Sequence, residues 1–241
     1  MEKFIRKISS ILSFIVIFFA SAIFYFNFKG FDYVDGQIVL KPQEAQAVEK
    51  KTFAELPANL VINASQKYAE GSKDAPLTMY EYSSFDCPHC ADFHLDIMPD
   101  IEKEYVEKGL LRVIFVNFPL SKNAMNVALL SRCIPYDQYK QFVNTMFLEQ
   151  RSWWNDKNNK TIFKLAAKFG LTNEEAEICI KNNTEAQNII ADRQEAMTRL
   201  NMQGTPAFLF SGTDGNEIIY GVPTKTRLTE YLNDRLARLS H

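Results

Sequence analysis

Four cysteines are spread over the 241 residues, and two of them stand three positions apart in the run Cys87-Pro88-His89-Cys90. Paired thiols at this spacing serve three common chemistries. A structural zinc site needs four ligands, usually with a second close pair. Here Cys133 and Cys179 are isolated from each other and His94 falls inside a predicted helix. Covalent haem attachment needs a histidine directly after the second cysteine, where this chain has Ala91. The third chemistry is thiol–disulfide exchange, which asks for a thiol at a helix N-terminus reached from a strand. No metal and no cofactor are expected.

The elements that must position these thiols follow from the pattern around them. Residues 77–85 (LTMYEYSSF) are rich in aromatic residues and predict a strand. The chain then enters a helix that runs to about residue 108, where Phe93, Ile97, Ile101 and Tyr105 recur every four positions. Pro99 should kink this helix, because it cannot donate to the carbonyl of Leu95. Gly109 ends it. In this frame Cys87 is the N-cap and Pro88 the first helical residue, whose missing N–H costs nothing there. The free amides and the positive dipole end favour a thiolate on Cys87. His89 can add a hydrogen bond or a positive charge, and Cys90, one turn inward, is the resolving thiol.

The remaining pattern is α/β. Residues 110–118 (LLRVIFVNF) predict a strand buried on both faces, parallel to the first. A helical stretch covers 121–183, with breaks near Pro135 and at 155–159. Thr172 with Glu175, and Thr184 with Gln187, are capping-box patterns. The second should open a helix to about residue 201. Strands at 207–210 and 217–220 follow around a turn at 212–215, then a last helix from Lys225 carrying Leu228, Leu232, Leu236 and Leu239 on one side. The chain thus divides into 1–28, a mostly polar tether at 29–75 with short strands at 37–40 and 60–63, an α/β half at 76–120, a helical insertion at 121–183, and a second half at 184–241. There is no internal repeat. Trp153, Trp154 and the phenylalanines are expected to be core.

Residues 8–28 carry no charge, and Lys3, Arg6 and Lys7 precede them. A helix of that length is roughly 30 Å, the thickness of a hydrocarbon core, and the basic flank stays cytoplasmic. This predicts export. Ala20-Ser21-Ala22 could be a cleavage site, but a cut there leaves an apolar new terminus, which favours an uncleaved anchor. Beyond residue 30 there are 23 basic and 28 acidic residues. That mildly acidic balance argues against nucleic acid as a partner. The compartment reached is one where disulfides persist. There, an even number of separated cysteines suggests a Cys133–Cys179 bridge; two buried thiols used as small apolar residues are the alternative.

The run Glu81-Tyr82-Ser83-Ser84-Phe85-Asp86 before the Cys-Pro-His-Cys motif resembles the DsbA family of periplasmic thiol:disulfide oxidoreductases. So do Val116-Asn117-Phe118-Pro119-Leu120 and Gly204-Thr205-Pro206. The resemblance spans residues 75–239 and is strongest to the alphaproteobacterial branch, some of whose members carry a second cysteine pair. It implies a thioredoxin fold with an inserted helical domain and a cis Pro206 facing the nucleophile. The backbone of Thr205 would be left free to pair with an extended substrate. Glu81 would lie beneath the disulfide and handle the proton of the buried thiol. It further implies a periplasmic monomer that oxidises reduced exported proteins and is reoxidised by a DsbB-like membrane protein. Thr205 departs from the valine common in enterobacterial DsbA and matches the disulfide isomerases of the same fold. An isomerase or reductase therefore stands as an alternative, with 29–75 as its candidate dimerisation region. A soft-metal chaperone is another.

Overall fold

The computed structural model describes residues 31–34, 37–40, 53–56, 60, 65 and 68–240. The chain divides into two units, Met1–Thr52 and Phe53–His241. The described part of the first is one antiparallel hairpin, β1 (Phe31–Val34) paired with β2 (Gln37–Leu40). The expected short strand at 37–40 is therefore present. The apolar stretch 8–28 lies outside the described residues, as do 61–63 of the other short strand expected in the tether. Among the described residues, no helix is long and apolar enough to cross a membrane.

The second unit is built on a six-stranded sheet in the order β3-β8-β7-β5-β6-β4. These strands are β3 (Phe53–Leu56), β4 (Ala69–Glu70), β5 (Leu77–Ser83), β6 (Leu111–Asn117), β7 (Ala207–Gly212) and β8 (Gly215–Tyr220). β5 and β6 are parallel, in register from Leu77 opposite Leu111 to Ser83 opposite Asn117. Every other pairing is antiparallel. Residues 53–56 and 69–70 fall in the stretch expected to be tether, yet they form the two edges of the sheet. Such short edge strands are held by backbone pairing and need no apolar alternation of their own.

Between β5 and β6 runs the predicted helix, in four parts: α1 (Pro88–Asp92), a π turn (Phe93–Ile97), α2 (Met98–Ile101) and a second π turn (Glu102–Val106). The Met98 amide bonds to the Phe93 carbonyl, five residues back. This is how the chain accommodates Pro99, since the wider turn re-routes carbonyls that proline cannot serve. One consequence is a shift of the buried seam, which passes from Phe93 to Met98 rather than to Ile97, then to Ile101 and Tyr105. At the end Gly109 takes φ +72° and Leu110 N–H bonds to Tyr105 O at 2.9 Å.

The insertion comprises α3 (Lys122–Ser131), α4 (Tyr139–Leu148), α5 (Gln150–Trp153), α6 (Lys160–Ala166) and α7 (Asn173–Ile180). Thr172 and Glu175 form the expected capping box. The next helix, α8 (Asn183–Arg199), starts earlier than its sequence pattern suggested: Asn182, not Thr184, is the N-cap and accepts from Glu185 N–H. Asparagine is at least as good an N-cap as threonine. The final helix is α9 (Lys225–Leu239). Its Arg235, fully buried, donates to Asp214 at 2.6 Å and lies 3.1 Å from Glu217, so the helix is tied to the β7–β8 hairpin.

Three apolar clusters result. One face of the sheet packs Leu77, Met79, Phe208 and Phe210 against Phe93, Ile101, Leu228 and Leu232. The other face packs Tyr82, Val116 and Leu209 against Ala196 and Leu200. The third fills the insertion with Phe142, Phe147, Trp153 and Phe163, and takes in Phe85, Cys87, Cys90 and Phe115. Trp154, in contrast, is 44% exposed. Cys87 and Cys90 therefore sit where the insertion meets the sheet.

Candidate active site

Cys87 is delivered by a tight loop after β5. Its N–H bonds to Ser84 O at 3.0 Å, and Ser84 Oγ in turn donates to Asp86 and accepts from Leu120 N–H at 3.1 Å. Gln150, buried at the start of α5, donates to the carbonyls of both Phe85 and Cys87, at 2.8 and 2.9 Å. The insertion thus pins the loop by its backbone. Nothing in the sequence marks Gln150, which stands between two charged residues at a helix start. As N-cap, Cys87 has extended backbone (φ −85°, ψ 119°), with Pro88 in the first helical turn.

The two thiols are unbonded and unlike. Cys87 is 6% exposed and Cys90 fully buried. Cys90's thiol hydrogen bond to Cys87 is the largest influence on Cys87. With help from the Thr205 hydroxyl and the Cys90 and His89 backbone amides, it outweighs burial and lowers the Cys87 pKa from 9.0 to about 6. Burial, and then the Cys87 sulfur itself, push Cys90 well above its ordinary value. Deprotonation is thereby directed to the outer sulfur. His89 contributes to this through its backbone amide, while its ring points to solvent, 3.6 Å from Asp92.

Across from the thiols, the Thr205–Pro206 peptide bond is cis. The Cys87 thiol donates to the Thr205 carbonyl at 3.3 Å. The Thr205 hydroxyl has no other hydrogen-bond partner among the described residues and favours the thiolate of both cysteines. Pro206 O accepts from Gly221 N–H at 2.9 Å, which ties this loop to the end of β8.

Glu81 is 1% exposed on β5. Its Oε2 lies 3.8 Å from His94 Nδ1, and His94 Nε2 is 2.8 Å from Asn144 Oδ1 on α4. His94 is 10% exposed. Burial would lower its pKa, but Glu81 and then Asn144 outweigh that and raise it. The partnership of Glu81 and His94 was not legible in the sequence, because local pattern does not specify which residue of β5 packs against residue 94.

Cys133 and Cys179 are joined by a disulfide, with Cα atoms 6.4 Å apart. It links the segment after α3 to α7, inside the insertion. Among the described residues, no group of three or more His, Cys, Asp or Glu is arranged to hold a metal ion.

A family model described as thioredoxin matches residues 63–228. A Rickettsia felis protein provisionally named a protein-disulfide oxidoreductase is 27% identical over 157 residues, covering 64% of this chain and 56% of that protein. The chain thus spans little more than half the length of that relative. A Bacillus cereus protein named as a probable disulfide bond formation protein D is 22% identical over 164 residues, 66% of this chain and 76% of the relative. Among solved structures, Wolbachia pipientis alpha-DsbA1 superposes with a TM-score of 0.69 at 24% identity, covering 76% of this chain and 96% of its own. Oxidised BdbD from Bacillus subtilis gives 0.57 at 21% identity, covering 74% and 100%. These likenesses show the fold, a thioredoxin core with inserted helices.

Proposed function

The chain belongs to the thioredoxin family, with the fold of its DsbA branch, and on that premise we propose that it is a thiol:disulfide oxidoreductase acting through Cys87 and Cys90. The observation that carries this reading is the asymmetry of the two thiols, one lowered to about pKa 6 at a helix N-terminus and the other buried and raised. In the oxidised protein a substrate thiolate attacks Cys87 Sγ. The Cys87–Cys90 bond breaks, its electron pair goes to Cys90 Sγ, and that sulfur takes up a proton. A second substrate thiolate then attacks the substrate sulfur of the mixed disulfide. Cys87 leaves as a thiolate, and the dithiol is left reduced. Because a stabilised Cys87 thiolate favours the reduced protein, the disulfide is a strong oxidant.

The direction of exchange is that of an oxidase supplying disulfides to reduced exported proteins, with a DsbB-like membrane protein to reoxidise it. Support comes from the relatives named for disulfide bond formation and from the charge-free residues 8–28 with their basic flank. Thr205, beside both sulfurs, is the feature that favours the isomerase reading. The equilibrium potential against glutathione separates the two families of activity. The expected value lies well above thioredoxin's, which is about −270 mV; a value at or below that of thioredoxin would make the protein a reductase. Cys90→Ala, offered a partner that carries a disulfide, should accumulate a mixed disulfide on Cys87 with the partner's other sulfur leaving as a thiolate, and failure to trap one would remove Cys87 as the exchanging sulfur.

A further inference from the structure

Helix surfaces in this protein tend to pair their charges. Lys108 lies 3.0 Å from Glu104 and Lys181 2.9 Å from Glu177, and Arg199 pairs with Glu195, each at the four-residue spacing that brings side chains together. The outer face of α6 is different. Lys160, Lys164 and Lys168 recur every four positions along α6 and the 3₁₀ turn Ala167–Phe169 that continues it, over about 12 Å. Lys157 stands in the turn before them. All four are exposed, while Ile162, Phe163, Leu165 and Ala166 are buried. Among the described residues the lysines in ion pairs are Lys108, Lys140, Lys181 and Lys225, so none of the four has a carboxylate partner. Lysines at this spacing repel one another, and Lys160 opposes the positive end of the helix dipole. Asp156 is the one acidic residue between 150 and 170, and it is engaged as a cap: its Oδ2 accepts from Thr161 and Ile162 N–H at 2.6 and 3.1 Å. Five basic residues stand against that one acid in this stretch, in a chain that is net acidic beyond residue 30.

The turn that leads into α6 carries an exposed indole. Trp154 is 44% exposed, whereas its neighbour Trp153 is fully buried. This turn is held firmly from within. The side-chain amide of Asn123 donates to the carbonyls of Trp153, Trp154 and Asp156, at 3.3, 3.0 and 3.0 Å, and Trp154 N–H bonds to Gln150 O at 3.0 Å. The indole is therefore presented to solvent on a fixed support. Gln150 also donates to the Cys87 carbonyl. One short segment thus supports the loop of the exchanging sulfur, displays a tryptophan and opens a row of unpaired lysines.

We propose that Trp154 and the lysine row of α6 form a docking face for anionic phospholipid headgroups, which holds the exchange site at a bilayer surface. A row of like charge on the convex outer side of a helix complements a plane of negative charge. Each lysine brought near such a surface strengthens attachment by about fivefold. Lysine stems are long enough to reach phosphates while the backbone stays clear of them. Tryptophan is the residue suited to the headgroup level, where its ring is half in and half out of water. The charge-free residues 8–28 with their basic flank, read above as an anchor, would keep a bilayer within reach and so raise its effective concentration. The inference rests on that anchor reading for its setting and adds a second, electrostatic contact to it.

The test places the full chain in vesicles of phosphatidylcholine alone and of phosphatidylcholine mixed with phosphatidylglycerol. Trp153 and Trp154 are the two tryptophans of the chain and Trp153 is buried, so acrylamide quenching of the emission reports Trp154. Quenching should be about threefold weaker or less in the mixed vesicles, and should return at 1 M salt, where the Debye length is about 3 Å. The double variant Lys160→Glu with Lys164→Glu changes two exposed positions, and a glutamate at residue 160 suits the helix dipole. It should be quenched equally in both vesicles, with thiol exchange retained. Equal quenching of the unaltered protein in the two vesicles overturns the proposal, as does protection that persists at 1 M salt or in the variant. Protection by soluble polyglutamate in phosphatidylcholine vesicles, with none from phosphatidylglycerol, overturns it in favour of an acidic protein partner. Failure of the chain to stay with phosphatidylcholine vesicles instead overturns the anchor reading. Cosedimentation with the mixed vesicles then decides the docking face: binding lost in the double variant supports it, and no binding overturns it.

Discussion

Cys87–Cys90 and Cys133–Cys179 are made of the same atoms and differ in everything around them. The first pair is three positions apart at a helix N-terminus, with amides, a carbonyl and a hydroxyl aimed at its sulfurs. The second closes a separation of 46 residues between elements of the apolar insertion. In the first, polar groups separate the two sulfurs' acidities, so a thiolate is available at the outer one. In the second, the bond constrains the chain. A cysteine's role is thus set by the dipoles and burial around it, not by the residue type.

The largest effect that would sharpen this contrast is on stability. The double variant Cys133→Ala with Cys179→Ala should lose roughly 4 kcal/mol by the chain-entropy model for a loop of this length, with thiol exchange at Cys87 retained. Urea denaturation of the oxidised protein and an exchange assay check it. Loss of exchange in a still-folded variant would mean that the second pair takes part in the chemistry, and the contrast would fail.

A smaller effect is expected from pH. The Cys87 pKa is depressed in the folded reduced protein, from 9.0 to about 6. Such a group adds stability that is full above the unfolded value and is lost as pH falls through the folded one. Between pH 5 and pH 7 the reduced form should therefore gain about 1 kcal/mol relative to the oxidised form, which has no thiol to titrate there. Parallel denaturation of the two forms measures it, and a difference that does not change with pH would contradict the assigned thiolate.

The smallest effect belongs to Thr205→Val, which removes one of several groups that favour the Cys87 thiolate. The midpoint of Cys87 alkylation should move upward, with less than a tenfold loss of reactivity at pH 6. A midpoint that stays put, or moves down, would take the hydroxyl out of the account.

Much of the frame was legible from local pattern. The strand, the N-cap cysteine, Pro88 in the first turn and the capping box at Thr172 are all short-range features, and they lie where the sequence placed them. The start of α8 after its N-cap Asn182 was missed because Asn182 and Thr184, two positions apart, could both cap, and local pattern did not choose between them. The edge strands β3 and β4 were missed for a different reason: their partners are remote in sequence, β8 for one and β6 for the other.

What the sequence determined by itself was the chemistry on offer: two thiols at redox spacing, set where a strand hands the chain to a helix. Local backbone preferences suffice for that, since N-caps and helix starts are decided within a few residues. What only the tertiary structure decided was which groups meet those thiols. Thr205 O, Gln150 Nε2 and the Ser83 hydroxyl arrive from β7's approach, from the insertion and from β5. The meeting of His94 with Glu81 likewise depends on how the helix packs against β5. Electrostatics at these distances depends on burial and on atoms a few ångströms away, and packing brings together residues that the chain order keeps far apart.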